Sequence, residues 1–103
     1  MRSKEEFCQC VYQLVRQVPE GRITTYGAIA KAMGEPKASR RVGYAMRISG
    51  DVQPPVPAHR VVSSSGRISC RSTRVQEFLE NERIEIRQDS IIGFKKLFWA
   101  CFK

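Results

Sequence analysis

Residues 25–48, TYGAIAKAMGEPKASRRVGYAMRI, predict two short helices joined by a tight turn. The Thr25 hydroxyl can cap the first helix, and Gly34 is suited to its C-terminal end. The second helix is expected from Lys37 to Ile48, directly after Pro36. Two short helices of this kind, the second carrying arginines, predict a helix-turn-helix. The first helix would bury Ile29, Ala32 and Met33.

The second helix separates an apolar stripe from a basic face. The stripe consists of Ala38, Val42, Ala45 and Met46. The opposite face consists of Arg40, Gly43, Tyr44 and Arg47. Two arginines beside a glycine suit close approach to a phosphate backbone. Gly43 would equally allow tight packing against the preceding helix.

A longer helix is predicted upstream of this pair. Ser3 and Glu6 have the spacing of a capping box, and Pro19 ends the helix. Ile23-Thr24 follows as a short extended piece. The apolar face of the helix consists of Phe7, Cys8, Val11, Leu14, Val15 and Val18.

Downstream, strand-like and helical pieces alternate. Val61-Val62 is strand-like and follows the proline-rich segment 53–57, which cannot be helical. Residues 67–69 could pair back as a wing hairpin. A fourth helix is expected from Thr73 to Glu82 and a short hairpin or wing from Ile84 to Trp99. The fourth helix would bury Val75, Phe78 and Leu79. Phe94, Leu97, Phe98 and Trp99 would close the core or form an exposed aromatic contact.

Taken together, these elements predict a small α/β winged-helix-like domain, with residues 1–103 forming a single domain.

Eighteen lysines and arginines stand against ten acidic residues, for a net charge of +8. Residues 22–74 hold ten of the basic residues and two acidic ones, Glu35 and Asp51. A basic surface so localised favours a polyanion such as DNA, RNA or an acidic membrane, and a solvated face without a partner is the alternative.

Other classes are disfavoured by what the sequence lacks. No apolar run approaches the roughly 20 residues that a membrane span needs, and the start is not of the secretory type. The four cysteines, Cys8, Cys10, Cys70 and Cys101, form no Cys-x-x-Cys pair, and His59 is the one histidine. We therefore expect no zinc site, no cofactor, and reduced thiols in a cytosolic protein.

Three segments carry a resemblance to a known family. Pro57-Ala58-His59-Arg60-Val61-Val62 resembles the Pro-Cys-His-Arg-Val motif of the O6-alkylguanine-DNA alkyltransferases, whose cysteine accepts the alkyl group. Residues 19–27 and 36–43 resemble the helix-turn-helix of that family, and the match runs from about Phe7 to Ile86. With Ala58 in place of the cysteine and no N-terminal domain, the chain is similar to the alkyltransferase-like proteins, which are non-enzymatic sensors of O6-alkylguanine.

The resemblance implies roles for residues that face DNA. Arg40 matches the arginine finger that enters through the minor groove and fills the vacated stack, with Arg41 as the neighbouring candidate and a simple phosphate contact as the alternative. Tyr26 matches the tyrosine that helps to rotate the target nucleotide, although it could instead be a partly buried helix residue. The small residues Ser39 and Gly43 fit a helix lying close to DNA, and Arg47 lies on the same face.

The resemblance also implies a lesion pocket formed by Ala58, His59 and Arg71. Alanine offers no nucleophile, so His59, Arg60 and Glu82 would be structural remnants of the relay that activates the cysteine in the enzymes. Ala58 also leaves room for larger alkyl groups. Arg71 would lie over the flipped base by a cation–π contact. Arg67, Arg71 and Arg74 could instead contact phosphate alone.

The expected function is recognition of double-stranded DNA containing O6-alkylguanine by a monomer, without alkyl transfer. The resemblance further implies hand-over to nucleotide excision repair proteins. The expected location is cytoplasmic, nucleoid-associated in a bacterium or nuclear in a eukaryote. Two alternatives stay open: a winged-helix regulator that reads undamaged sequence, and a transferase using another nucleophile such as Cys70.

Overall fold

The computed structural model describes residues 3–49, 52–63, 65–67, 73–88 and 90–102, with backbone alone over 73–75. In the described residues, helices and short strands alternate along the chain. They are α1 (Lys4–Val15), β1 (Thr24–Thr25), α2 (Tyr26–Ala32), α3 (Ser39–Arg47), a 3₁₀ turn (Ala58–Arg60), β2 (Val61–Val62), α4 (Thr73–Asn81), β3 (Ile86–Arg87), β4 (Ser90–Ile91) and α5 (Phe94–Leu97).

Helix α1 begins with the predicted cap. The Ser3 Oγ accepts the Glu6 N–H at 3.1 Å. The helix ends at Val15, not at Pro19, because residues 16–18 turn away. Tyr12, which the apolar stripe did not include, is buried and donates its hydroxyl to the Ala45 carbonyl at 3.0 Å. This bond ties α1 to α3.

Helices α2 and α3 form the predicted helix-turn-helix. The Thr25 hydroxyl accepts the Ala28 N–H at 3.0 Å, and Gly34 follows the helix end with a φ of +78°, which favours glycine. The apolar stripe of α3 is buried as predicted. The prediction for α2 was wrong at Ala32, which is exposed, because α2 packs against both α1 and α3 and buries Ile29 and Ala30.

Backbone pairing joins residues 23–25 to two segments that are distant in sequence. Strand β1 pairs in parallel with β2, Thr24 opposite Val61 and Thr25 opposite Val62. Ile23 confirms the predicted extended piece and pairs in parallel with Phe98 of the C-terminal segment. The Trp99 N–H donates to the Ile23 carbonyl at 2.8 Å. The C-terminal segment thus lies alongside the residue that precedes β1.

The short hairpin predicted within residues 84–99 is confirmed. Strands β3 and β4 form an antiparallel hairpin, and Arg67 pairs with Ser90 as well as accepting the Ser63 N–H through its carbonyl. Residues 68–69 of the predicted hairpin lie outside the described residues. Helix α5 was not predicted within residues 84–99, and it begins after Gly93, whose φ is +74°.

Two buried clusters form the core of the described residues. The first lies between α1, α2 and α3, and the second beneath α4 and the hairpin. Phe94 and Leu97 pack against the second cluster, whereas Phe98 is 38% exposed. Leu79 is buried as predicted, but Phe78 is 52% exposed, which overturns its assignment to the core. In the described part of the chain, no helix has the length and apolar character to span a bilayer.

Candidate nucleic-acid interface

The outward face of α3 presents basic groups, and the helix itself contains no acidic residue. Arg40 and Arg47 are exposed, while Ser39 is half-buried at the first position of the helix. Ala38 precedes it without a side-chain hydrogen bond to the first turn, and that turn holds no acidic residue. Backbone N–H groups at a helix start carry partial positive charge and favour anions. This face therefore suits a phosphate backbone.

Gly43 lies where α3 meets Tyr26 at the start of α2. A Cβ added at Gly43 would lie 4.0 Å from the Tyr26 Cε1, an ordinary van der Waals separation. Packing between the two helices therefore does not require glycine here. Tyr26 itself is half-buried and packs against the first cluster, which agrees with the structural alternative for this residue.

Arg40 and Arg41 differ in what already holds them. The Arg41 guanidinium lies 4.2 Å from the centre of the Phe7 ring and 3.8 Å from the Glu35 carboxylate. Among the described residues, Arg40 forms no ion pair or cation–π contact, and it lines the shallow groove between α1 and α3. Its side chain is thus the one of the two that can move without breaking a described ion pair or cation–π contact.

Lys4 extends the basic surface to the start of α1. Its Nζ lies 4.6 Å from the centre of the Tyr44 ring, so the amino group is held over the exposed face of α3. Tyr44 is 40% exposed. Sequence patterns did not reveal this contact, because it joins residues forty positions apart.

The segment 57–62 turns sharply and carries the motif side chains inward. The 3₁₀ turn Ala58–Arg60 is closed by the Arg60 N–H, which donates to the Pro57 carbonyl at 3.0 Å. Ala58 packs against the first cluster, which also holds the buried face of α3. His59 and Arg60 point toward α4, and their side chains are 14% and 18% exposed.

The Glu82 carboxylate is bonded to several groups at this turn, and we call this network the Glu82 hub. His59 Nε2 lies 2.5 Å from Glu82 Oε2, and Arg60 donates to both carboxylate oxygens at 3.0–3.1 Å. The Gly21 N–H donates to Oε1 at 2.9 Å. Burial would raise the pKa of the Glu82 carboxyl, but the bonds from Arg60, Gly21 and His59 outweigh it and hold the pKa below its ordinary value. The carboxyl is therefore an anion at neutral pH.

Arg60 also links this hub to the chain upstream. Its Nη1 donates to the Val18 carbonyl at 3.0 Å, beside the turn that contains Gly21. Sequence reasoning grouped His59, Arg60 and Glu82, and the structure brings these three together. It missed Gly21 and Val18, whose backbone groups leave no signal in side-chain patterns. Arg71 and Cys70 lie outside the described residues.

Comparison with known proteins agrees with this geometry. Residues 6–84 match the model of the family described as 6-O-methylguanine DNA methyltransferase, DNA binding domain, close to the range expected from the motifs. The chain is 40% identical over 98 residues to alkyltransferase-like protein 1 of Schizosaccharomyces pombe, with 88% of each chain covered. It is 40% identical over 76 residues to the DNA base-flipping protein of Escherichia coli, covering 74% of this chain and 58% of that protein.

A solved structure shows the same architecture. The crystal structure of S. pombe Atl1 in complex with damaged DNA containing O6-carboxymethylguanine superposes with a TM-score of 0.83 at 36% identity, covering 96% of this chain and 98% of the other. The predicted fold, a small α/β domain like the DNA-binding domain of alkyltransferases, is confirmed. The chain belongs to the family that shares this domain and, within that family, to the alkyltransferase-like proteins.

Proposed function

We propose that this chain binds double-stranded DNA containing O6-alkylguanine, flips the damaged nucleotide out of the stack and holds it without transferring the alkyl group. The observation that carries the proposal is Ala58 at the acceptor position of a turn whose His59–Glu82 pair is intact. A turn that keeps this pair but lacks a nucleophile suits recognition and not group transfer.

Binding to the duplex comes from the basic face of α3 and its neighbours. Arg40, Arg41 and Arg47 are exposed there, and Lys4 is held over Tyr44 beside them. Each cation that neutralises a phosphate releases a condensed counterion. This contribution is independent of sequence, so it supports binding to any duplex and leaves discrimination of the lesion to other groups.

Affinity should fall steeply as salt rises. With three to five phosphate contacts, the slope of log affinity against log salt concentration should be about −2.7 to −4.5, at roughly 0.9 per contact. Lys4→Ala should make the slope shallower by about one. Fluorescence anisotropy of a labelled duplex between low and moderate salt measures both values. A salt-independent affinity would contradict the electrostatic contribution.

Flipping requires a group that compensates for the lost stacking. Extruding a nucleotide costs a few kcal/mol, and the cost is least where pairing is already weakened. We assign this role to Arg40, which is exposed and held by no ion pair among the described residues. Its planar guanidinium can stack on bases while its charge stays near phosphate. Tyr26, beside Gly43, would direct its hydroxyl to the phosphate of the target nucleotide.

Ala58, His59 and Arg71 would line the pocket for the flipped base, and the methyl side chain of Ala58 leaves the alkyl bond intact. The described cysteines lie elsewhere: Cys8 and Cys10 are on α1 and Cys101 follows Trp99. Since alanine replaces the motif cysteine and no described cysteine is on the turn beside His59, we assign its pairing with Glu82 a structural role.

One experiment tests this proposal against its alternatives. Duplexes of one sequence, with and without O6-methylguanine carrying a labelled methyl group, are used for both binding and transfer. We expect tighter binding of the damaged duplex and no label on the protein. Label on the protein would show a transferase, and equal affinity with a strong preference among undamaged sequences would show a regulator.

Replacing Gly43 by alanine should separate packing from DNA approach. The added methyl has space against Tyr26, and alanine is the better helix former by up to about 1 kcal/mol, so the free energy of unfolding should stay level or rise. Affinity for DNA should fall about tenfold if the backbone of α3 lies against the duplex. Urea denaturation and anisotropy measure the two quantities. A loss of stability without a loss of affinity would show that Gly43 serves helix packing.

Within this proposal the chain acts as a single DNA-binding domain and as a monomer, in the compartment that holds the genome. A flipped base held in distorted DNA is a lasting signal, and we assign its reading to nucleotide excision repair proteins. Co-sedimentation of repair proteins with the lesion-bound complex, compared with undamaged DNA, would test this step.

A further inference from the structure

Arg16 ties the segment that precedes Ala58 to the end of α1. It is the first residue after the helix, and its Nη2 donates to the Pro54 carbonyl at 2.6 Å. Three of the five residues in 53–57 are prolines, which have no N–H to donate. Among the described residues, the bond from Arg16 is the one hydrogen bond that joins residues 53–57 to a distant part of the chain. The position of this segment therefore depends on side-chain contacts and not on backbone pairing.

A second bond fixes the other side of the same stretch. The Val18 carbonyl accepts from the Arg60 Nη1 at 3.0 Å, and Val18 is buried. Residues 16–18 thus hold the chain at two points, one before Ala58 and one after it. Ala58, which replaces the motif cysteine, lies between these two attachments.

The guanidinium of Arg16 is not well suited to a role in stability alone. Its Nε is buried and has no hydrogen-bond partner among the described residues. An unpaired buried donor is unfavourable, so a side chain with the same apolar stem and an apolar end would suit folding about as well. Stability therefore does not account for an arginine at this position.

The segment held by Arg16 leads directly into the proposed pocket. Pro54 and Pro55 are exposed, whereas Val56 packs against the first cluster. A shift of the two exposed prolines would move the backbone that enters the 3₁₀ turn at Ala58. A binding site loses precision when the groups that support its lining residues are removed.

From these attachments we infer that Arg16 is a positioning residue for the lesion pocket: its bond to the Pro54 carbonyl sets the path of the chain into Ala58 and so supports the preference for damaged DNA. The inference rests on the proposed function and deepens it, because it names a residue that acts on the pocket through the backbone and not through a contact to DNA.

The test measures dissociation constants of Arg16→Met for duplexes of one sequence with O6-methylguanine or guanine. Methionine keeps an apolar stem and removes the donor to Pro54. The preference for the lesion should fall about fivefold, roughly the effect of one hydrogen bond, and affinity for the guanine duplex should stay within about twofold. Arg16→Lys keeps a donor that can bond the same carbonyl and should restore most of the preference.

The methyl resonance of Ala58 in the free chain is a second readout, which needs no DNA. In protein made with isotope-labelled alanine, this NMR signal should shift in Arg16→Met, because the chain enters the turn along a changed path. It should return toward the wild-type position in Arg16→Lys. An unshifted Ala58 signal in Arg16→Met would overturn the inference.

Arg22→Met is the matched control, because the exposed Arg22 also donates to a backbone carbonyl, that of Lys96, at 2.9 Å. It should leave both the preference and the Ala58 signal unchanged. If Arg16→Met weakens both duplexes equally and makes the salt dependence shallower by about one phosphate contact, Arg16 contacts DNA directly and the inference is wrong. A lower urea midpoint with an unchanged preference would show a purely structural role and overturn it as well.

Failure of the inference differs from failure of the proposed function. If the wild-type chain prefers the lesion over guanine and Arg16→Met keeps that preference, lesion recognition stands and the role assigned to Arg16 is wrong. If the wild-type chain binds both duplexes equally, the proposed function is wrong and the inference falls with it.

Discussion

Replacing Arg40 by alanine is expected to lower affinity for a duplex with O6-methylguanine by about 30-fold and affinity for the undamaged duplex by no more than about threefold. The first figure corresponds to about 2 kcal/mol, within the few kcal/mol that unstacking a nucleotide costs. The second is what loss of one phosphate contact produces at moderate salt. Anisotropy titrations give both affinities, and a fluorescent base analogue beside the lesion reports flipping.

Arg41→Ala is the matched control, since it removes the same charge from the next residue of α3. Arg41 is already engaged by Phe7 and Glu35, so its loss should weaken both duplexes equally and by about threefold or less. Arg40→Lys keeps the charge without the planar group and should recover nonspecific affinity but not the preference for the lesion. If Arg41→Ala and not Arg40→Ala abolished flipping, the finger would belong to Arg41.

The difference between these two arginines shows which features of α3 can be predicted from the sequence and which cannot. Helical spacing predicted the apolar stripe and the basic face of α3, because both depend on a period of 3.6 residues. Helical spacing cannot tell which of the two adjacent arginines is already held by an ion pair and an aromatic ring. That depends on Phe7, which lies on another helix and covers Arg41 with its ring. Partners across the fold have no signature in local pattern.

The prediction that Phe78 is buried in the core was wrong. Its spacing with Leu79 on α4 predicted burial, and Leu79 is indeed fully buried. A helix at the surface buries one stripe, and the width of that stripe depends on what packs above it. Here the 3₁₀ turn brings His59 against α4, and Phe78 contacts this residue and not the core. The sequence pattern does not show that His59 packs against Phe78, and this contact is why the prediction of burial was wrong.

The C-terminal segment was predicted in outline and differs in detail. Its apolar residues indicated a role in closing the core, and Phe94 and Leu97 confirm it. The parallel pairing of Ile23 with Phe98 could not be foreseen, because it joins residues 75 positions apart through backbone groups alone. Such pairings follow from the packed fold and not from the identity of the side chains.

The second large effect is expected on the free energy of unfolding, to which the Glu82 hub should contribute strongly. Glu82→Ala would leave the Arg60 guanidinium, whose side chain is 18% exposed, without its carboxylate partner, and would also remove the acceptors for His59 and the Gly21 N–H. Breaking a buried ion pair by deleting one partner costs about 3–5 kcal/mol. For a domain of this size that is a large share of the free energy of unfolding. Urea denaturation at neutral pH measures the loss.

Glu80→Ala is the control, because Glu80 is exposed near the end of α4, two residues before Glu82, and the free energy of unfolding of this variant should stay within about 0.5 kcal/mol of wild type. Glu82→Gln keeps the shape and one acceptor oxygen and should fall between the two. A cost below about 1 kcal/mol for Glu82→Ala would show that the network contributes little to stability.

The pH dependence follows from the direction of the Glu82 pKa. Since hydrogen bonds from Arg60, Gly21 and His59 hold the pKa below its ordinary value despite burial, the unfolded chain takes up the proton first as pH falls. The stabilisation is therefore complete above the ordinary glutamate pKa and is lost as pH falls toward the lowered value in the folded chain. The wild-type advantage over Glu82→Gln should be constant near neutral pH and shrink in that acidic range. An advantage that instead vanished between pH 6 and 8 would assign the stabilisation to another titrating group.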